Sequence, residues 1–177
     1  MDQEPTFHID LPGYTVRRLK PDDAVILQRV FDRCPDYAEI VEGEGSSSAA
    51  AEELFESLPP GGSFSNKLVA GIFNRVGEIG GVLEVMKHYP EENIWWIGLL
   101  LLDPGMRNQG VGRNLLEAFM EYARGNGGKA VMLGVVEDNR SAYRFWSQNG
   151  FDLVRKTEPR LFGMKNQPVY LMQRKIE

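Results

Sequence analysis

The stretch that decides the fold runs from NIWWIGLLLL (Asn93–Leu102) through Asp103-Pro104-Gly105-Met106 and Arg107-Asn108-Gln109-Gly110-Val111-Gly112 into RNLLEAFMEYARGNGG (residues 113–128). The first run is apolar on both faces, which suits a central strand. In the last, Leu115, Leu116, Phe119, Met120 and Ala123 fall on one helical stripe, and Gly125 to Gly128 end it. Between strand and helix, two glycines two positions apart let backbone N–H groups approach an anion closely. The helix adds the positive end of its dipole and its unpaired amides. Arg107 and Arg113 bring positive charge to the same place. The segment reads as a phosphate loop suited to a pyrophosphate. The plainer alternatives are turn glycines at Gly110 and Gly112 and a solvated charge at Arg107.

Two phosphate-loop types are excluded by spacing. A Walker loop needs G-x-x-x-x-G-K-[ST], which the chain lacks. A dinucleotide fingerprint needs a third small residue where Leu115 stands. What remains is R-x-x-G-x-G after a strand ending in Leu102-Asp103-Pro104. A second motif follows: Asn139, 27 residues beyond Gly112, opens N-x-x-A-x-x-F-W-x-x-N-G-F, ending at Phe151.

Working outward, YTVRRLK (Tyr14–Lys20), KLVAGIF (Lys67–Phe73), GGVLEVMKHY (Gly80–Tyr89), KAVMLGVV (Lys129–Val136), FDLVRKT (Phe151–Thr157) and VYLMQRK (Val169–Lys175) read as further strands. Pro21, Asp22 and Asp23 start a helix over about residues 22–33, with Ile26, Leu27, Val30, Phe31 and Cys34 on its apolar stripe, and Pro35 ends it. From Asp36 to Ser48 the chain reads as an acidic, then Gly/Ser-rich loop. Ser47 or Ser48 caps a helix over AAAEELFESL. Asn139 caps another, RSAYRFWSQ, which Asn149-Gly150 closes. Residues 1–13 read as a loose start, and no internal repeat is present.

Composition bounds the function. The chain has 177 residues, 42% hydrophobic and 25% charged, and a net charge of -5. One domain over 1–177 is expected. An acidic balance with no basic stripe argues against nucleic acid. The apolar run Ile94–Leu102 is about half of a membrane span, so no membrane partner is expected. MDQEPTFHID offers neither a basic start nor an apolar core for a signal peptide. With Cys34 the only cysteine, no intrachain disulfide forms, no Cys-rich metal site is expected, and a cytoplasmic setting is the simplest reading.

Taken together, the Arg107–Gly112 loop, its Leu102-Asp103-Pro104 approach and the Asn139–Phe151 motif resemble the two hallmarks of the GNAT superfamily of N-acetyltransferases. The resemblance extends over about residues 14–175. It is most marked over 95–151 and loose before 65. It implies an α/β (α+β) fold: a mixed, mostly antiparallel central sheet of six to seven strands, splayed near the middle and flanked by about four helices. Acetyl-CoA would lie in the splay, with no metal. The resemblance gives its pyrophosphate the amides of Arg107, Asn108, Gln109, Gly110, Val111 and Gly112, beside Arg113. Its pantetheine would pair with the backbone of Leu100, Leu101 and Leu102. Asn139 would touch the cofactor arm, and Phe145 and Trp146 would pack against it or in the core. Relatives are often dimers, so a homodimer is compatible.

The chemistry of such a site is acyl transfer to an amine. An alkyl amine has a pKa of about 10, so a base or a desolvating pocket must remove a proton. The oxyanion needs an N–H donor, which the resemblance assigns to the Leu102 amide. Relatives often carry a tyrosine acid where Trp146 stands, and some a glutamate base where Gly134 stands, so neither carries over. Tyr143, one turn earlier, is the substitute acid. Glu84 is the candidate base, directly or through water; its alternatives are a surface strand residue and a binder of a cationic substrate. Asp36 and Tyr37, with Glu39, follow the first helix where acceptor loops are implied. With Glu84, Glu91 and Glu92 they form either an acidic mouth for a cationic amine or scattered surface acids. Trp95 and Trp96 point to opposite faces, and Trp96 is placed at the acceptor groove. The expected function is acetyl transfer from acetyl-CoA to a small-molecule or protein amine. The rivals are another acyl-CoA and a non-catalytic acyl-CoA sensor.

Overall fold

The structure, a computed structural model, describes residues 6–177. Ten strands and five α-helices occur among them. The strands are β1 (His8–Leu11), β2 (Tyr14–Arg18), β3 (Lys67–Asn74), β4 (Ile79–Lys87), β5 (Ile94–Leu102), β6 (Ala130–Val136), β7 (Asp152–Lys156), β8 (Arg160–Phe162), β9 (Lys165–Gln167) and β10 (Val169–Lys175). The helices are α1 (Ala24–Asp32), α2 (Pro35–Glu42), α3 (Ala50–Glu56), α4 (Val111–Gly125) and α5 (Arg140–Gln148).

Eight strands form one sheet in the order β1-β2-β3-β4-β5-β6-β10-β7. Every neighbouring pair is antiparallel except β5 and β6. That parallel pair is short: it runs only from Ile94 opposite Ala130 to Ile97 opposite Leu133. Beyond it the two strands part, and residues 98–102 of β5 face a gap.

A bulge explains where the sheet opens. Glu84 pairs with Leu99 and Val85 with Ile97, so Gly98 is an extra residue on β5. A bulge bends its strand and raises the local twist. It also exchanges faces. Trp95 and Ile97 pack with α4, whereas Leu99 and Leu101 pack with α1 and α3. The run is apolar throughout because each half buries its odd-numbered side chains on a different face.

The α4 face holds Leu115, Leu116, Phe119, Met120 and Ala123, the stripe expected from sequence, together with Trp146 and Phe151. The opposite face is filled by Leu27, Val30, Phe31, Cys34 and Ala51.

Four features depart from the sequence reading. The main sheet has eight strands rather than six to seven, because His8–Leu11 pairs with β2 instead of staying loose. Burial of Phe7 and Ile9 holds it there, and Gly13 turns the chain at φ +83. Residues 1–5 of that expected loose start lie outside the described residues. Next, α2 replaces the expected acidic loop. Pro35 does not merely end α1; it sits in the first turn of α2, where its missing N–H costs nothing. Gly43, left-handed at φ +82, ends that helix. Third, Ala49 rather than Ser47 or Ser48 takes the cap position of α3, although Ser47 Oγ accepts the Ala49 N–H at 3.1 Å. Last, β8 and β9 form a separate hairpin fastened to α2: Gln167 Nε2 donates to the carbonyls of Ile40 and Val41, and the Met164 N–H to that of Glu42.

Candidate active site

The open edge of β5 is lined by backbone. Asp103 N–H donates to Gly80 O, and along an antiparallel ladder successive residues alternate direction. Leu99, Leu101 and Asp103 therefore bond to β4, Leu100 turns its N–H and C=O toward the gap, and Leu102 offers its N–H there, its C=O being taken by Arg107 and Cys34. The N–H and C=O of Leu101 are engaged with β4 opposite Val82.

The loop after β5 ends in uncapped amides. Asn108 and Gly110 are left-handed, at φ 58 and φ 80. Gly110 caps α4 without a side-chain hydrogen bond, so the first-turn amides of Val111, Gly112 and Arg113 have no intrahelical acceptor. Nothing lies within 4 Å of a Cβ built on Gly110, so that side is open. A Cβ on Gly112 would come 3.3 Å from Phe145 and 3.6 Å from Leu102. Gln109 folds back on the loop, its Nε2 donating to Gly105 O at 2.6 Å. An open strand edge followed by a left-handed turn and bare helix amides fits an elongated ligand with an extended amide arm and a diphosphate. Acetyl-CoA has both.

Arg107 does not point its side chain to solvent or along the loop. Its Nε donates to Leu102 O at 2.8 Å, and its guanidinium pairs with Asp36 on α2, Nη1 to Oδ2 at 2.5 Å. This hydrogen bond holds the Asp36 carboxyl below the usual carboxylate range. Two residues expected in separate subsites thus neutralise each other. Cys34, fully buried beside them, donates its thiol to the same Leu102 carbonyl at 3.5 Å; burial raises its pKa.

Glu84 is buried, 7% exposed, on β4 between Leu83 and Val85, so it shares the face of Val82, which packs with α1 and α3. Its carboxylate lies over Gly98: a Cβ there would sit 1.9 Å from Oε2. Gly98 itself is exposed, so the bulge is a window onto the carboxylate. Desolvation pushes the Glu84 carboxyl up, and Lys67, at 3.8 Å, pulls it partly back. Tyr37 on α2 stands close enough to feel that charge. Its buried hydroxyl is pushed up to about 12, first by desolvation and then by Glu42 and Glu84.

The other expected residues fall in several places. Asn139 caps α5, its Oδ1 accepting from Ala142 N at 3.2 Å. Tyr143 packs edge-on against Tyr170, with ring centroids 5.0 Å apart. Trp96 is half-buried against Tyr89, its indole close to Gly134 across β6. Trp146, expected at the cofactor arm or in the core, is in the core between Phe145 and Phe151. Phe145 alone of that pair reaches the Gly112 amide region. A separate hollow, lined by Ile26, Arg33, Phe73 and Gly80 among others, contains none of these residues.

Two participants escaped the sequence reading. Gly98 carried a signal, a glycine interrupting a strand, which marks a bulge. Lys67 carried none, because a lysine opening a strand is ordinarily solvated.

Comparison with known proteins agrees with this fold. The pattern of the acetyltransferase (GNAT) family matches residues 29–151. The chain is similar to an uncharacterized N-acetyltransferase, YhfO, of Bacillus subtilis (strain 168), with 26% identity over 143 residues, 77% of this chain and 89% of the relative. In fold it is similar to an acetyltransferase from Thermus thermophilus, with a TM-score of 0.74 at 23% identity, covering 94% of this chain and 99% of that one. The spermidine N-acetyltransferase of Vibrio cholerae, solved in complex with CoA and spermine, gives 0.71 at 15% identity over 93% and 96% of the two chains. No helix among the described residues is long and apolar enough to cross a membrane. No group of His, Cys, Asp or Glu side chains that could hold a metal ion occurs among them.

Proposed function

The chain belongs to the acetyltransferase (GNAT) family, and on that premise we propose that it transfers the acetyl group of acetyl-CoA to a primary amine by direct attack. Glu84 takes the proton from the amine, and the Leu102 amide donates to the oxyanion. The observation that carries this reading is the buried Glu84 carboxylate over the exposed Gly98, at the point where β5 and β6 separate. A base must meet its substrate, and the bulge is the opening through which it can. The neighbouring Lys67 already balances its charge, which favours proton transfer over capture of a cation.

The amides from Asn108 to Arg113 are the assigned diphosphate holders. Leu100 is assigned the extended arm through its open-edge N–H and C=O, since the Leu102 C=O is held by Arg107 and Cys34 and its amide is kept for the oxyanion. Asn139 and Phe145 flank that arm, and Tyr37 and Trp96 the acceptor. Acetyl-CoA supplies the activated thioester. The departing thiolate has a pKa near 8.5, so a dedicated acid helps only moderately, and Tyr143 on α5 is the candidate for it. The acceptor is a small-molecule or protein amine, and a reducing compartment such as the cytoplasm suits the lone buried thiol of Cys34.

The test has two stages. Acetyl-CoA at about 100-fold over Kd should raise the melting temperature by roughly 5–10 °C. An amine panel read by free-thiol release should then give turnover, which Glu84→Gln lowers by about 10²-fold or more. Thermal stabilisation without turnover on any amine would instead favour an acyl-CoA sensor. Stabilisation by a longer acyl-CoA alone would change the donor.

A further inference from the structure

The least expected side chain near the gap is Lys67, the first residue of β3 and only 8% exposed. Its Nζ donates to the carbonyls of Leu54 and Ser57, at the C-terminal end of α3. That end carries the negative pole of the helix and its unpaired C=O groups, so it suits an ammonium. The remaining donor faces Glu84 Oε1 at 3.8 Å, too far for a hydrogen bond and close enough for a strong charge interaction.

A purely structural ion pair would bring the charges into contact, because burying both is costly and only direct hydrogen bonds offset it. Here the ammonium spends two donors on neutral carbonyls and stands off from the carboxylate. Glu84 Oε2 is left aimed at Gly98. The surroundings offer little else to fix its charge. From α2 comes only the phenol of Tyr37, with Glu42 beyond it; from β5 comes Gly98, which has no side chain.

We propose that Lys67 is a positioning residue for Glu84: anchored on the end of α3, its ammonium holds the carboxylate over Gly98 and keeps it ionised in a pocket that would otherwise favour the neutral acid. This rests on Glu84 serving as the base. Burial also pushes the Lys67 ammonium down, with Glu84 opposing. The two charges therefore support each other, and removing one should be felt at the other.

The experiment titrates the free protein, labelled with 13C at glutamate Cδ and with Glu84 assigned by the Glu84→Gln variant. The wild-type midpoint should lie above the ordinary glutamate value of about 4.3. Lys67→Met should move it up by about one unit or more. Lys67→Gln, which keeps an N–H donor for the α3 carbonyls and so protects the fold, should move it the same way. Lys67→Arg should leave it near the wild-type value. A midpoint unmoved or lowered in both neutral variants overturns the proposal. The base role is read separately, by thiol release. Full turnover in Glu84→Gln would remove the base and the catalytic meaning of Lys67, whatever the midpoints do.

Discussion

Arg107 and Asp36, 71 positions apart, form a two-point pair that fastens α2 to the end of β5. The Nε donor holds the Leu102 carbonyl, so one side chain joins α2, the end of β5 and the glycine loop. If the loop binds phosphate, its amides do the holding and Arg107 sets the loop's shape. Asp36 is half exposed, so screening limits the pair to about 1 kcal/mol. Arg107→Met should therefore weaken acetyl-CoA binding only about fivefold. Asp36→Asn should do much the same, and the double variant should add little. Calorimetric titration with acetyl-CoA decides it. A hundredfold loss in Arg107→Met with none in Asp36→Asn would put the guanidinium on the phosphate. The sign of the pH effect follows from the lowered Asp36 carboxyl. The pair contributes stability above the unfolded aspartate value of about 3.9, and that contribution is lost as pH falls through the lower folded value.

Gly98 and Glu84 give a second prediction. Any side chain at Gly98 must displace the carboxylate, since a Cβ would overlap Oε2 at 1.9 Å. If Glu84 is the proposed base, Gly98→Ala should lower kcat by about tenfold or more, because misplacing a reacting group by an ångström is enough. Acetyl-CoA affinity should stay near wild type, since the loop proposed to hold the diphosphate is untouched. Equal loss in both constants would mean that the substitution had closed the sheet rather than moved the base.

Much of this arrangement was legible in the residues, for physical reasons. Strand β5, the glycine loop and the stripe of α4 are local patterns: periodicity, left-handed turn chemistry and helix ends are written in adjacent residues. The parting of β5 from β6 was reached through resemblance, although Gly98 marks its cause. What could not be read was non-local. Pro35 is compatible both with ending α1 and with starting α2, and only the folded chain, which buries Ala38, decides. Arg107 and Asp36 each looked like a ligand-binding charge, because sequence does not show that they meet. Lys67 gave no signal, because its burial comes from α3, 10 to 13 positions earlier, whose end it meets only in the folded chain.

The position of Trp146 separates packing from catalysis. Its indole is buried against Phe145 and Phe151 and cannot serve as an acid. Trp146→Ala should cost about 3–5 kcal/mol in denaturant unfolding. Trp146→Phe should keep most of the packing and leave kcat within a fewfold of wild type. A large drop in kcat for the phenylalanine variant, with the fold intact, would give the indole a place at the reacting atoms.

The two loop glycines should fail differently when substituted. Gly110 is left-handed with open space around it, so Gly110→Ala meets only backbone strain, about 1 kcal/mol. Its acetyl-CoA affinity should fall modestly as the loop relaxes. Gly112 sits in the bare first turn of α4, with Phe145 and Leu102 behind its Cα. A side chain there is pressed toward both. Gly112→Glu adds bulk and a negative charge where the amides and the helix dipole would receive a diphosphate, and like charge at that pole is unfavourable. Acetyl-CoA should then produce no rise in melting temperature, while the unliganded protein still unfolds cooperatively. Undiminished stabilisation of Gly112→Glu by acetyl-CoA would show that the diphosphate binds elsewhere, and the assignment of the Asn108–Arg113 amides would fall with it.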